Sequence, residues 1–249
     1  MDANRSPLTC TSEELYTIVS SSNRRWLLLC LSNPAMSENH VLALLRNPTI
    51  TTDVVHSIYE RYEWISSYKV QFAIANCPKT PFPLCIKVLQ LLFWNDLVRT
   101  CSNYRLTPQV RRAAENFLRE KVSGLTLGEK KSLARTAPRV LIGFLRNEID
   151  ADVFPFLLRN PQLAEDDLLA TINQDRTPSG VLETIGSDYK WSTRYPIRLA
   201  LVRNVHTPLH IALSFVSKLK KQDLEALAHS PQTTELVRRA AKRILTGNY

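Results

Sequence analysis

The feature that most constrains this chain is an internal repeat. Residues 64–118 align without a gap on residues 191–245, at an offset of 127 positions. The identical pairs include Trp64 with Trp191, Tyr68 with Tyr195, Thr80 with Thr207, Asp96 with Asp223, and residues 110–114 with 237–241. An ungapped match of this length indicates a duplication, so we predict two homologous halves that build the same fold twice.

Apolar residues recur at helical spacing throughout the chain. Leu15, Ile18 and Val19 repeat at i, i+3 and i+4. No run of alternating β-branched residues is bounded by turn signals, so the pattern predicts an all-α protein of about seventeen short helices. Stacked in order, such helices share one core, which indicates one continuous solenoid domain. The predicted parts are a polar N-terminal tail (1–11), a first helical-repeat half (12–125), a linking helix (126–137) and a second half (138–249).

Short corners separate the predicted helices. Asn33-Pro34 and Asn160-Pro161 are two examples, and Thr80-Pro81 is another. We interpret the Asn as a residue that ends a helix in the left-handed conformation, and the Pro as a block to continuation. A Ser or Thr then caps the next helix. Thr126-x-x-Glu129 has the pattern of a capping box at the start of the linking helix.

These motifs resemble two families of α-helical repeats. Residues 229–245, with Val237-Arg238-Arg239-Ala240-Ala241 at their centre, resemble the second half of a HEAT repeat. The Asn-Pro and Thr-Pro corners resemble the bacterial leucine-rich-repeat variant. The resemblance covers most of the chain from about residue 29 and implies a right-handed α-solenoid, with hairpins of about 28 residues that are shorter than HEAT pairs. Some leucine-rich-repeat-variant proteins carry an iron–sulfur cluster on clustered N-terminal cysteines, but only Cys10 and Cys30 lie near this start, so we predict no cofactor.

Charge and cysteine content narrow the class further. The chain carries a formal net charge of +9, and residues 190–249 hold eleven Lys or Arg against three acids. The most apolar stretch, 84–94, is interrupted by Lys87 and Gln90, so we predict no membrane association. We further predict a soluble, cytoplasmic protein that is a monomer. Five cysteines without a Cys-x-x-Cys pair indicate small buried residues rather than a metal site or a disulfide framework.

Two sets of repeated side chains are candidate sites. The arginine pairs Arg111-Arg112 and Arg238-Arg239 are interpreted either as anion-binding forks or as structural residues that bond a helix-end carbonyl or the repeated acids. The favoured hypothesis is the structural one, with Asp96 and Asp223 as partners. Trp64 and Trp191 are expected to seal helix joints, with base stacking as the alternative.

Positions that differ between the halves are further candidates. Phe93-Trp94 in the first half becomes Lys220-Lys221 in the second, and Glu115-Asn116 becomes Lys242-Arg243. Trp94 is therefore a candidate partner contact. The second half acquires a predicted basic ridge made of Lys218, Lys220, Lys221, Arg238, Arg239, Lys242 and Arg243.

No catalytic or metal-binding motif is recognisable, so we predict a non-enzymatic scaffold that binds a protein partner on its concave face. The alternative is a nucleic-acid-binding protein that uses the basic second half. Within that alternative, HEAT-like DNA glycosylases use an aromatic residue, an acid and an arginine in a groove. Trp191, Asp223 and Arg239 are the candidates for these three roles, and no motif matches the glycosylases specifically.

Overall fold

The computed structural model describes residues 6–148 and 151–247. These residues contain nineteen α-helices and no strands, which confirms the all-α prediction. The count exceeds seventeen because extended backbone at Arg61 and at Asp188 splits off a four-residue helix in each half. Residues 1–5 of the predicted tail and residue 150 of a predicted helix lie outside the described residues.

The chain divides into two compact units, Met1–Ser123 and Gly124–Tyr249, called unit 1 and unit 2 below. The helices of unit 1 are α1 (Ser12–Val19), α2 (Arg24–Cys30), α3 (Glu38–Arg46), α4 (Thr52–Glu60), α5 (Tyr62–Ile65), α6 (Tyr68–Ala75), α7 (Phe82–Leu89), α8 (Trp94–Cys101) and α9 (Pro108–Val122). Those of unit 2 are α10 (Leu127–Thr136), α11 (Arg139–Glu148), α12 (Phe154–Leu158), α13 (Glu165–Ile172), α14 (Ser179–Ser187), α15 (Tyr189–Ser192), α16 (Tyr195–Arg203), α17 (Leu209–Val216), α18 (Lys221–His229) and α19 (Glu235–Leu245).

Each unit contains two layers of helices. In unit 1, α1 packs on α3 and α3 on α6, while α2 packs on α4 and α7 on α9. We call the first set, with α8, the A layer and the second the B layer. In unit 2 the A layer is α11, α13, α16 and α18, and the B layer is α10, α12, α14, α17 and α19. Hairpins such as α6–α7 and α18–α19 join the two layers, so each short helix buries its apolar stripe against neighbours on two sides.

The asparagines at the corners act through their side chains. Among the described residues only Gly247 has a positive φ, so the prediction that Asn ends helices in the left-handed conformation is wrong. Asn160 Nδ2 instead donates to the carbonyls of Ala134 (2.8 Å) and Ala137 (3.1 Å), and its Oδ1 accepts from the backbone N–H of Gln162. A buried amide thereby satisfies two helix-end carbonyls and shapes its own corner.

Asn33 makes the same three bonds at positions 127 residues earlier. Its Nδ2 donates to the carbonyls of Pro7 (2.9 Å) and Cys10 (3.0 Å), and its Oδ1 accepts from Ala35 N–H. Asn33 is 5% exposed and Asn160 is 1% exposed, so neither amide has water as a substitute partner. The corner residue is Asn because a short side chain must both donate and accept at this place.

Two other local predictions are confirmed. Thr126 and Glu129 form the capping box at the start of α10. All five cysteines are buried and free of disulfide bonds. Burial raises the pKa of Cys85 to about 11 and that of Cys101 to about 12. In the described part of the chain, no helix has the length and apolarity that a membrane span requires.

Candidate functional site

A groove of about 1180 Å³ opens on the A layer of unit 1, and we call it the unit-1 groove. Its walls come from α3, α6 and α8 and from the corners that follow them. The lining residues are Leu42, Leu45, Arg46, Asn47, Pro48, Ile50, Tyr68, Lys69, Phe72, Ala73, Asn76, Cys77, Pro78, Lys79, Asp96, Arg99, Asn103 and Arg105. The groove therefore combines an apolar floor with a polar rim.

Basic side chains dominate the charge of this groove. Its cations are Arg46, Lys69, Lys79, Arg99 and Arg105, whereas Asp96 is the one acid among the described lining residues. Such an excess of one sign in a concave surface attracts a ligand of the opposite sign.

Two of the cations have acidic partners. Nη1 of Arg99 lies 3.0 Å from Oδ1 of Asp96, and Nζ of Lys69 lies 3.3 Å from Oε1 of Glu38. Arg46, Lys79 and Arg105 are exposed and make no ion pair within residues 6–148 and 151–247. We call these three residues the groove cations, because they have no acidic partner among the described residues.

Asp96 does not offset the groove cations, because its carboxylate is already bonded. Tyr68 donates its hydroxyl hydrogen to Oδ2 of Asp96 at 2.6 Å, and Asp96 is 7% exposed. Burial and the bond to Asp96 raise the pKa of Tyr68 to about 12. The same hydroxyl oxygen accepts from the backbone N–H of Phe93 at 3.0 Å. This cluster fixes α6 against the start of α8.

A smaller groove of about 470 Å³ occupies the equivalent place in unit 2. Its lining residues are Ile172, Asn173, Asp175, Ala200, Arg203, Asn204, Val205, His206 and Gln232. Every one of them lies 127 positions after a lining residue of the unit-1 groove. The two units therefore form the same concavity from the same positions.

The basic character of the groove is not repeated. The positions in unit 2 that correspond to the five cations hold four uncharged residues and one histidine. In chain order they are Asn173, Pro196, His206, Ala226 and Gln232. The fold forms the concavity without the cations, so packing alone does not require them in unit 1.

Helix electrostatics do not require the groove cations either. Arg46 is the last residue of α3, and Lys79 and Arg105 follow the ends of α6 and α8, where a cation complements the helix dipole. Of the equivalent helices in unit 2, α13 has no basic residue in its last turn, and α16 has Arg203, which pairs with Asp223. The helix dipole is therefore compatible with cations at these ends. It does not explain why all three groove cations are found in unit 1.

The arginine pairs do not bond the repeated acids, and the favoured hypothesis on this point is wrong. Asp96 is paired with Arg99 and Tyr68, as described above. Asp223 accepts from Tyr195 and lies 3.2 Å from Nη2 of Arg203. Asp96 and Asp223 lie in the first turns of α8 and α18, and each bonds a tyrosine of the preceding A-layer helix. The arginine pairs lie on α9 and α19 of the B layer.

The arginine pairs have other partners. Arg238 Nη1 donates to the carbonyl of Ser230 at the end of α18, which is the helix-end bond that the sequence suggested. Arg238 and Arg239 both contact Glu235, at 2.7 and 2.8 Å. In unit 1 the position of Glu235 is Pro108. The guanidinium of Arg111 lies 5.1 Å from the ring centre of Tyr104, and Arg112 is exposed.

The side chains of the repeated tryptophans, Trp64 and Trp191, are buried to different extents. Trp191 is 2% exposed, and its Nε1 donates to the carbonyl of Leu158 at 3.3 Å. Trp64 is half-buried, and its Nε1 has no partner among the described residues. The carbonyl of Leu31, which corresponds to Leu158, accepts from Arg61 instead. The Trp191 ring is therefore not available as a stacking platform for bases. Trp94, at the start of α8, is also half-buried.

The predicted basic ridge divides into two groups. Lys220 and Lys221 lie at the start of α18, and Lys242 and Arg243 lie in the last turn of α19. A five-residue link and extensive packing make α18 and α19 a hairpin, so both ends come to the same side, together with Lys218. We call these five residues the basic end. Arg238 and Arg239 lie at the opposite end of α19.

Two lysines of the basic end also contact aromatic rings. Nζ of Lys218 lies 5.6 Å from the ring centre of Phe215, and Nζ of Lys220 lies 4.9 Å from that of Tyr195. These contacts are weak in water and leave both ammonium groups exposed.

The residues that a glycosylase would need are each engaged elsewhere. Trp191 is buried against Leu158, Asp223 is bonded to Tyr195 and Arg203, and Arg239 contacts Glu235. The structure does not bring them together as a site. Nor do three or more His, Cys, Asp or Glu side chains of the described residues form a group that would hold a metal ion.

No protein-family model, curated protein or solved structure matches this chain. The groove cations were not predicted from the sequence, because they are spread over three corners. A signal was nevertheless present: Arg46, Lys79 and Arg105 each change to a residue without a fixed charge at the offset of 127 positions.

Proposed function

We propose that this chain is a non-enzymatic helical-repeat scaffold, a right-handed α-solenoid produced by internal duplication, whose unit-1 groove binds an acidic segment of a protein partner. The observation that carries the proposal is the contrast between two equivalent grooves, of which only the one in unit 1 bears unpaired cations. A duplicated fold preserves what packing needs, so a difference confined to the lining of a groove favours ligand recognition.

The apolar floor favours a peptide over a free small anion. The partly exposed rings of Tyr68 and Phe72 supply apolar surface in the groove. Leu45 and Ile50 also line it but are only 5% and 2% exposed, so they contribute little accessible surface. A peptide ligand buries apolar side chains on such a floor while its carboxylates reach the rim.

The test is a variant that gives unit 1 the residues of unit 2. Arg46→Asn, Lys79→His and Arg105→Gln are combined, and binding of a fluorescently labelled Glu-rich peptide is measured by anisotropy. Exposed ion pairs contribute about 0.2–1 kcal/mol each, so the three changes are expected to weaken binding about tenfold.

A matched control removes charge elsewhere. Lys218→Gln, Lys221→Gln and Lys242→Gln remove three exposed positive charges from the basic end. This variant is expected to bind the peptide as well as the unchanged chain does. Equal weakening in the two variants would show that net charge alone attracts the peptide, and the proposal would then be abandoned.

A second candidate function is nucleic-acid binding by the basic end of unit 2. Its support is the placement of five Lys and Arg residues on one side of the α17–α19 region. Phosphate contacts release counterions, so binding of a duplex DNA is expected to fall steeply between 50 and 200 mM salt. The Lys218, Lys221 and Lys242 variant is expected to flatten that slope, and absence of DNA binding at low salt would exclude this function.

A further inference from the structure

The unit-1 groove has two unlike edges, one formed by the starts of its helices and the other by their ends. On the basis of the proposed function, we infer that the bound peptide crosses the groove from edge to edge. Its carboxylates lie at the helix ends, and an apolar side chain of the same peptide packs on Phe93 at the helix starts.

Hydrogen bonds place the starts of the three groove helices side by side. Glu38, the first residue of α3, accepts from Oγ of Ser67 at 2.8 Å, and Ser67 is the N-cap of α6. Tyr68, the first residue of α6, donates to Asp96 in the first turn of α8. These four residues mark the helix-start edge of the groove.

The ends of the same helices form the opposite edge. Nδ2 of Asn103, just after α8, donates at 3.1 Å to Oδ1 of Asn76, the C-cap of α6. Because α6 and α8 are joined at their starts and at their ends, they run side by side in the same direction. Arg46 is the last residue of α3, which packs on α6, and Lys79 and Arg105 follow the ends of α6 and α8. All three groove cations therefore belong to the helix-end edge.

The helix-start edge is aromatic rather than basic. The other two lining cations, Lys69 and Arg99, are already paired with acids. The ring centre of Phe93 lies 4.9 Å from that of Tyr68, which lines the groove. Phe93 is 64% exposed, so its ring continues the apolar surface of the groove toward solvent. This edge therefore offers a contact for an apolar side chain.

The exposed aromatic ring is not repeated in unit 2. Lys220 stands at the position of Phe93, and its Nζ lies 4.9 Å from the ring centre of Tyr195. Lys218 likewise stands at the position of Leu91, which is 56% exposed. Among the described residues, those that line the unit-2 groove do not include Tyr195. The fold therefore accommodates a lysine in place of Phe93, and packing alone does not require the exposed ring.

Unit 2 thus lacks both the groove cations and the exposed ring. Two differences on opposite edges of one groove favour a single ligand that uses both edges of unit 1. A free anion would use only the helix-end edge, and a purely apolar ligand would use only Phe93 and its surroundings. A peptide with carboxylates and an apolar side chain satisfies both.

The length of a groove helix sets the separation of the two contacts. The helix α8 has eight residues, so at about 1.5 Å per residue it is about 12 Å long. An extended peptide advances about 3.3 Å per residue, so about four residues separate its acidic and apolar contacts.

The experiment uses the full chain and short labelled peptides, with binding measured by fluorescence anisotropy. One peptide has two Glu residues and a Leu about four residues away, joined by Ala and Ser. The second has Ser in place of Leu, and the third has Leu directly beside Glu. Each is also made in reverse order, so that both directions across the groove are sampled. The spaced Leu peptide is expected to bind about tenfold more tightly than the Ser peptide, because part of the leucine side chain is buried on the ring.

Variants of the protein assign this advantage to one edge. Phe93→Lys gives unit 1 the residue of unit 2 and is expected to remove the advantage of Leu over Ser. Tyr62→Lys is the matched control, because it also replaces an exposed aromatic ring with lysine, and it is expected to preserve the advantage. The combined Arg46→Asn, Lys79→His and Arg105→Gln variant is expected to weaken the Leu and Ser peptides by the same factor, since the two edges act independently.

Cross-linking locates the apolar side chain without any change to the protein. A peptide with a benzophenone side chain in place of Leu is irradiated with the unchanged chain, and the product is mapped by mass spectrometry. Cross-links are expected within residues 90–94 and at Tyr68.

Each other outcome has a definite meaning. Equal binding of the Leu and Ser peptides in both directions would overturn the crossing of the groove and leave the acidic-segment function standing. Cross-links confined to other residues, or an advantage of Leu that survives Phe93→Lys, would do the same. Equal binding of the spaced and adjacent Leu peptides would overturn the separation of the two contacts. Absence of binding by every peptide would overturn the proposed function as well.

Discussion

The phenol oxygen of Tyr68 lies 2.6 Å from Oδ2 of Asp96, and Tyr195 donates to Asp223 at the equivalent place in unit 2. In both units the same oxygen accepts a backbone N–H, that of Phe93 or that of Lys220. One side chain thus ties an A-layer helix to the first turn of the next. The cation that accompanies the acid differs, being Arg99 of the same helix in unit 1 and Arg203 of the preceding A-layer helix in unit 2.

Removal of the Tyr68 hydroxyl is expected to destabilise the fold. Tyr68→Phe leaves Asp96 buried with one fewer donor, and we expect a loss of about 1–3 kcal/mol in the free energy of unfolding, measured by urea denaturation. Tyr62→Phe is the control, because Tyr62 is 83% exposed. A cost below about 0.5 kcal/mol for Tyr68→Phe would contradict the role of this bond.

Substitution of a corner asparagine distinguishes a role of its side chain from a role of its backbone conformation. Asn160→Gly would be harmless if Asn served to adopt a left-handed backbone, but its amide satisfies two carbonyls and one N–H. We expect Asn160→Gly and Asn160→Ala each to cost about 2 kcal/mol or more in denaturant unfolding. Asn173→Ala, at an exposed helix end, is the control. Full tolerance of glycine at 160 would restore the backbone explanation.

The two tryptophans are expected to respond unequally to the same substitution. Trp191→Phe removes a buried N–H that bonds the Leu158 carbonyl, and we expect a loss of about 2–3 kcal/mol. Trp64→Phe removes an N–H without a partner in the described structure, so its cost is expected to be less than half of that. Thermal or urea unfolding of the two variants makes the comparison, and equal costs would argue against it.

Stability is expected to fall in alkali. Burial raises the pKa of Cys85 to about 11 and that of Cys101 to about 12, whereas a thiol in the unfolded chain ionises near 8.5. Between about pH 9 and pH 11 the unfolded state therefore binds fewer protons than the folded state, and the free energy of unfolding decreases as pH rises. Each thiol is expected to contribute up to about a tenfold change in the unfolding constant per pH unit.

Alanine at these two positions tests the source of that slope. Ala212 and Ala228 stand at the equivalent positions of unit 2, so Cys85→Ala and Cys101→Ala fit the same fold. Urea denaturation of the double variant at pH 7, 9 and 10.5 is expected to give a shallower decline than the unchanged chain. An identical decline would show that other groups cause the alkaline loss.

Local patterns predicted local structure well. The spacing of apolar residues gave the all-α class, and Thr126 with Glu129 gave a helix start, because both depend on neighbours within one turn. The predicted pairing of the arginines with Asp96 was wrong because the arginines lie on α9 of the B layer, whereas Asp96 bonds residues of the A layer. Spacing along the sequence does not show which layer a helix belongs to. The groove cations were missed for a related reason, since residues 46, 79 and 105 converge only when three corners stack.

The buried amide of Asn33 makes the segment before α1 part of the fold. Its two acceptors are the carbonyls of Pro7 and Cys10, and Cys10 is itself 4% exposed. A chain shortened to begin at Ser12 would retain every predicted helix and yet leave this amide without either acceptor. At Asn33 and Asn160 the amide bonds carbonyls that lie 23 and 26 residues earlier. Truncation from the N-terminus is therefore expected to disrupt the next repeat as well as the one removed.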